Sequence, residues 1–163
     1  MSMIGNYRRV SHPKLAELLS QPEHLSPFLY PEEESDPERH LDIDKTWHII
    51  HFLLTGSTWE GTWPLVGAVM GGEAMSDEDV GYGPARYLTP IQVQEVSGSL
   101  ANISSDALWS RFDAGAARQA EIYPEHWTSE ADDRDYVTGY YKELQGFFAA
   151  AARAEEAMII YLN

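Results

Sequence analysis

The stretch LDIDKTWHIIHFLLTG, Leu41 to Gly56, joins a nearly unbroken apolar run to acids, a lysine and a pair of histidines. Asp44 is placed as the N-cap of a helix running through Leu54, and Gly56 as the left-handed residue that ends it. Trp47, Ile49, Ile50, Phe52, Leu53 and Leu54 leave nearly every turn apolar. A helix of that kind needs neighbours on several sides, so it belongs in the heart of the fold.

Working outward, MIGNYRRV (Met3 to Val10) is β-compatible, and Ser11 can cap a helix carrying Leu15, Leu18 and Leu19 at helical spacing. Leu25, Phe28 and Leu29 form a second helical face interrupted by Pro27. PEEESDPERH, Pro31 to His40, has five acids and two prolines and reads as a solvated loop. After the central helix, Trp59, Trp63 and Pro64 lead into the short apolar run LVGAVMG, stopped by a glycine pair, and SDEDVGYG follows as a loop. ARYLT reads as a short strand, and Thr89 caps a helix opened by Pro90 and reaching about Leu100. Ser104 or Ser105 starts another helix through Leu108, Trp109 and Phe112, and the alanine-rich stretch after Asp113 extends or follows it to Glu121. From Asp133 to Arg153, apolar residues recur at three and four, the clearest amphipathic helix of the chain. AMIIYLN, Ala157 to Asn163, is a β-type run expected to pair with the N-terminal strand or with ARYLT. The expected fold class is α/β, with α+β as the alternative: a small sheet flanked by several helices, in a single domain spanning residues 1–163.

At 163 residues, 44% of them hydrophobic, the chain has material for one packed core. Its formal charge of −15 repels phosphate backbones and anionic lipid, which disfavours nucleic acid and membrane surfaces as partners and favours a basic protein or a cationic ligand. Solubility alone is the plainer account of that acidity. The absence of cysteine excludes disulfides, thiol catalysis, iron–sulfur clusters and thiolate zinc sites. The longest strongly apolar run, Trp47 to Leu54, is far too short to span a bilayer, and the N-terminus has no signal-peptide core, so a soluble cytoplasmic protein is expected.

Taken together, Leu41 to Gly56, GYGPARYLTP (Gly81 to Pro90), YPEHW (Tyr123 to Trp127) and the MSMIG start resemble the YfbM-like family of bacterial domain-of-unknown-function proteins. The resemblance covers essentially the whole chain. It implies a fold and a cytoplasmic setting, and brings with it no activity.

Among candidate sites, His48 and His51 are three apart on the central helix, with Asp44 four residues before His48. The pattern lacks the spacing and glutamate of H-E-x-x-H, so neutral histidines bonded within a packed helix are preferred to a metal site, and no metal or cofactor is expected. GYGPARYL lacks the third glycine and following helix of a dinucleotide fingerprint and reads as a tight turn, with Arg86 available to pair an acid. Tyr82 and Arg86 beside the loop of Asp77, Glu78 and Asp79 form a second candidate. YPEHW is taken as a hydrophobic plug. No G-x-S-x-G elbow or P-loop is present.

Two classes of function follow. The favoured one is a binding or interaction module whose acidic surface engages a basic partner, as inhibitor and immunity-type proteins do. The other is an enzyme or small-ligand sensor with a polar cleft around Asp44, His48, His51, Tyr82 and Arg86; it requires these side chains to converge. Oligomeric state is open.

Overall fold

The computed structural model describes residues 2–163; Met1, the first residue of the MSMIG start, lies outside them. An antiparallel five-stranded sheet, in the order β2-β1-β5-β4-β3, organises the chain. Its strands are β1 (Gly5–Val10), β2 (His40–Asp42), β3 (Glu73–Ala74), β4 (Arg86–Leu88) and β5 (Ala157–Leu162). β5 lies between β1 and β4 and pairs with both, so the two partners left open for AMIIYLN are both correct. Its residues alternate across the sheet as the pleat requires. Met158 and Ile160 face one buried cluster and Ile159 and Tyr161 the other.

The larger cluster is built by α3 (Trp47–Thr55), α5 (Pro90–Ala101) and α8 (Ala131–Arg153). α8 presents Val137, Tyr141, Leu144, Phe148 and Ala151 at the three-and-four spacing read from the sequence, all of them buried. α5 opens with the expected cap as a complete capping box: Gln92 N donates to Thr89 Oγ1 and Thr89 N to Gln92 Oε1. α1 (His12–Ser20) and the short α2 (Leu25–Leu29) cover the second cluster, with Ser11 Oγ accepting from Lys14 N at 3.2 Å. The remaining helices are single short pieces, α4 (Gly67–Met70), α6 (Ser105–Trp109) and α7 (Ala114–Gln119). α6 ends at Trp109, short of the expected Phe112, and Asp113 starts α7 afresh as its N-cap, so of the two arrangements left open the alanine-rich stretch follows the helix and does not extend it.

The start of the central helix also differs from the reading. Leu41 and Asp42 belong to β2, and Asp44 is left-handed at φ 53° at the start of a 3-10 turn, Asp44–Thr46, which precedes α3. Asp44 therefore caps nothing; its own N–H donates to Asp42 Oδ1 at 2.6 Å. Gly56, at φ 75°, ends α3 as expected, its N–H on Phe52 O.

Candidate functional site

α3 carries His48 and His51 into the core, both at most 1% exposed. His48 is held at both nitrogens by backbone: Nδ1 accepts from Tyr123 N at 2.9 Å and Nε2 donates to Thr58 O at 3.0 Å. That pattern fixes the neutral Nε2–H tautomer. Its ring lies 4.8 Å from that of Trp47 and 4.5 Å from that of Trp59, stacked on each. His51 Nε2 meets Thr55 Oγ1 at 3.3 Å, and its Nδ1 is buried with no partner. Burial lowers both histidines from their ordinary pKa, His51 to about 4. Among the described residues no group of three or more His, Asp or Glu side chains is arranged to hold a metal.

The five residues of the expected polar cleft do not converge. Asp44 turns to α8, where its Oδ2 accepts from the Tyr136 hydroxyl at 2.6 Å. Tyr82 is exposed on the loop before β4, where its N–H donates to Leu162 O. Gly81 beside it is required by close approach, since a Cβ there would overlap the end of β5. Arg86 is exposed on β4, and its Nη1 bonds Gly72 O at 3.0 Å instead of the expected acid. The cause is the misplaced helix start: once Asp44 lies in a left-handed turn, helical spacing no longer relates it to His48. YPEHW acts as a plug in part. Trp127 is buried and Tyr123 accepts from Met3 N, while His126 is exposed.

Two other features stand out. One is a face of acids and tyrosines on α8. Asp132, Tyr136, Tyr140 and Glu143 recur at helical spacing, with Asp42 and Asp44 brought against them from β2 and its following turn. Tyr136 and Tyr140 pack edge to face at 5.4 Å. The Tyr140 hydroxyl is raised from its ordinary pKa first by burial, then by the charges of Asp44, Asp42 and Glu143. Replacing Tyr136 by phenylalanine leaves Asp44 without its hydroxyl donor and is expected to cost about 1–2 kcal/mol in urea unfolding, toward the lower end for charge-assisted bonds because Asp44 is part-exposed.

The second feature is a hollow of about 680 Å³ where β1 emerges from the sheet, walled by α1, α2 and the acidic loop. Four of the chain's eleven bases line it, Arg8, Arg9, Lys14 and Arg39, against three acids, Glu34, Asp36 and Glu156. Arg8 and Arg9 are consecutive on β1, so the pleat sends them to opposite faces of the sheet. Arg8 is buried; its Nη1 donates to both Glu34 oxygens at 3.0 and 2.8 Å and its Nη2 to Leu29 O. Arg9 and Arg39 both bond Glu156, which is only 6% exposed. The Phe28 ring has the Arg8 guanidinium at 6.0 Å and the Lys14 ammonium at 5.2 Å. Burial raises the Glu34 carboxyl, but the Arg8 hydrogen bonds, the Asp36 N–H and the charges of Arg8 and His40 together outweigh it and hold the group below its ordinary range. This hollow was not expected from the sequence. Its one sequence signal is the Arg-Arg pair inside a strand of a strongly acidic chain.

These features define an α/β protein with an open antiparallel sheet, one acidic face and one hollow lined by arginines. The chain belongs to the family Domain of unknown function (DUF1877), whose model matches residues 1–161. It is similar in fold to YfbM from Escherichia coli, a protein of unknown function, at 21% identity and a TM-score of 0.74 over 98% of this chain and 99% of that one. No curated protein matches the chain. Among the described residues no helix is long and apolar enough to cross a membrane.

Proposed function

We propose that the chain is a binding protein, one domain of residues 1–163 working in the cytoplasm, whose acidic exterior engages a basic protein partner in the manner of an inhibitor or immunity-type protein. The observation that carries this reading is the partition of charge. Arg8, Arg9, Lys14 and Arg39 converge on one hollow and are each paired with an acid, while most of the 26 acids stand exposed elsewhere. The acid and tyrosine face of α8 supplies the contact chemistry, since tyrosine is enriched at interface centres and acids steer a cationic partner to them. Nucleic acid and membrane surfaces are disfavoured by the same charge. The alternative, an enzyme or small-ligand sensor built on Asp44, His48, His51, Tyr82 and Arg86, has no common cleft in its support.

The test is capture of partners from extracts of the source cells by the tagged protein and by a triple variant on α8, Asp132→Asn, Glu143→Gln and Asp135→Asn, the last at a side chain 71% exposed whose carboxylate meets Arg134. A stoichiometric basic protein is expected, released between low and high salt because steering is screened over roughly 8 Å at physiological ionic strength, and lost about tenfold in the triple variant. Capture of the same proteins in the same amounts by both forms removes the reading.

A further inference from the structure

The hollow beside β1 has properties that an acid-surfaced binding protein does not need. Its lining holds one more cation than anion in a chain of net charge −15. Its volume of about 680 Å³ falls within the range of small-molecule sites, roughly 300–1,000 Å³. Val10, Pro27, Phe28 and Pro31 give it apolar walls. Arg9 belongs to the floor of the hollow: its Nη2 donates to Glu156 Oε1 and Ala150 O and its guanidinium lies 5.7 Å from the Phe147 ring, with Nε buried and unpartnered.

The acids in the hollow are held in two different ways. Glu156 is at the root of β5, 6% exposed, with Arg9 on one oxygen and Arg39 reaching both, and it acts as a fixed floor. Glu34 sits on the irregular acidic loop with its side chain 33% exposed; it meets Arg8 through one guanidinium nitrogen, accepts from Asp36 N at 3.3 Å, and has His40 Nδ1 at 3.6 Å. The Arg8 side chain is only 7% exposed, so its charge requires an anion at this point, yet that anion is supplied from outside the helices and strands by a side chain 33% exposed, where the Glu156 side chain is 8% exposed.

We propose that the hollow is a binding site for a small organic anion, whose acidic group takes the place of Glu34 on Arg8 within reach of Lys14 and Arg39, and whose apolar body lies on Phe28 and the flanking prolines. Glu34 is then the resident competitor, a carboxylate tethered to the protein that keeps Arg8 neutralised until a ligand displaces it. The required ligand carries a carboxylate or phosphate joined to a flat or compact hydrophobic group. The site is independent of the acidic face of α8 and stands or falls separately from a basic protein partner.

Arginine Nε–Hε resonances read this site directly. The uniformly nitrogen-15-labelled protein is titrated with phenyl phosphate, benzoate, inorganic phosphate and the neutral isostere benzamide, as wild type and as Glu34→Gln. Saturable shifts of the Arg8, Arg9 and Arg39 signals are expected with phenyl phosphate or benzoate. Inorganic phosphate should bind more weakly, and benzamide should leave the signals in place. Glu34→Gln is expected to tighten binding about fivefold, the scale of losing one part-exposed ion-pair competitor. Arg39→Gln should weaken it; Arg9 keeps Glu156 paired, so the protein stays folded with a lowered thermal midpoint. The proposal is overturned if neither aromatic anion moves these signals in either form, if benzamide binds as well as benzoate, or if Glu34→Gln weakens binding.

Discussion

Replacing Trp47 by alanine is expected to cost about 4 kcal/mol of folding free energy, a large share of the roughly 5–15 kcal/mol available to a domain of this size. Trp47 is 1% exposed and is among the largest fully buried side chains. Its ring stacks on those of His48 and Tyr123, at 4.8 and 5.8 Å, and its Nε1 donates to Met3 O at 3.0 Å. β1 makes room for it: a Cβ at Gly5 would come within 2.9 Å of the Trp47 Cβ. Truncation therefore opens a cavity at the junction of α3, β1 and the Tyr123 loop, and it orphans a backbone carbonyl as well. Urea unfolding followed by circular dichroism measures the loss. Ile91→Ala, at a side chain 71% exposed, is the matched control and should change stability by less than about 0.5 kcal/mol.

Acid should destabilise the protein well above the range where carboxylates titrate. His51 has its pKa lowered from an ordinary 6.5 to about 4, by burial first, with the neighbouring His48 adding to it. A folded-state pKa below the unfolded one means that the unfolded chain binds the proton more readily between those values, so stability rises with pH there. The contribution is fully present above about pH 6.5, and is lost progressively as the pH falls toward 4. The shift corresponds to about 3 kcal/mol in total, of which about 2 kcal/mol is lost between pH 7 and pH 5. His48 and His40, also lowered chiefly by burial, add loss of the same sign. Urea midpoints from pH 7.5 to pH 4 test this, and His51→Gln should flatten the curve by about the His51 share. A wild-type midpoint that holds steady down to pH 5 contradicts the neutral, buried state of these histidines.

The long-period elements were legible because their signals are redundant. α8 repeats its apolar face over 23 residues, and β5 is a run of β-formers preceded by Glu155 and Glu156. Thr89, Pro90 and Gln92 mark a helix start three times over. β2 and β3 span only three and two residues, too short for alternation to show, and each exists because a longer strand is already there to pair with it. Missing β2 is what moved Asp44 onto the helix and produced the expectation of a cleft with His48. The hollow was illegible for a different reason. Arg8, Lys14, Glu34, Arg39 and Glu156 come from both ends of the chain, and only the pairing of β1 with β5 brings the two ends together.

Four of the eleven bases gather at one hollow while most acids stand exposed elsewhere, and this separation of charge can be read without knowing any partner. Amide-proton relaxation by a cationic and by an anionic nitroxide cosolute reports the electrostatic potential near each backbone position. The predicted map is most negative over Asp42 to Lys45 and along the Asp132 to Glu143 face of α8, and is neutral or positive at the rim of the hollow, from Ser11 to Lys14 and at Phe28. A hollow as negative as its surroundings, or an α8 face no more negative than the rest of the surface, would contradict it.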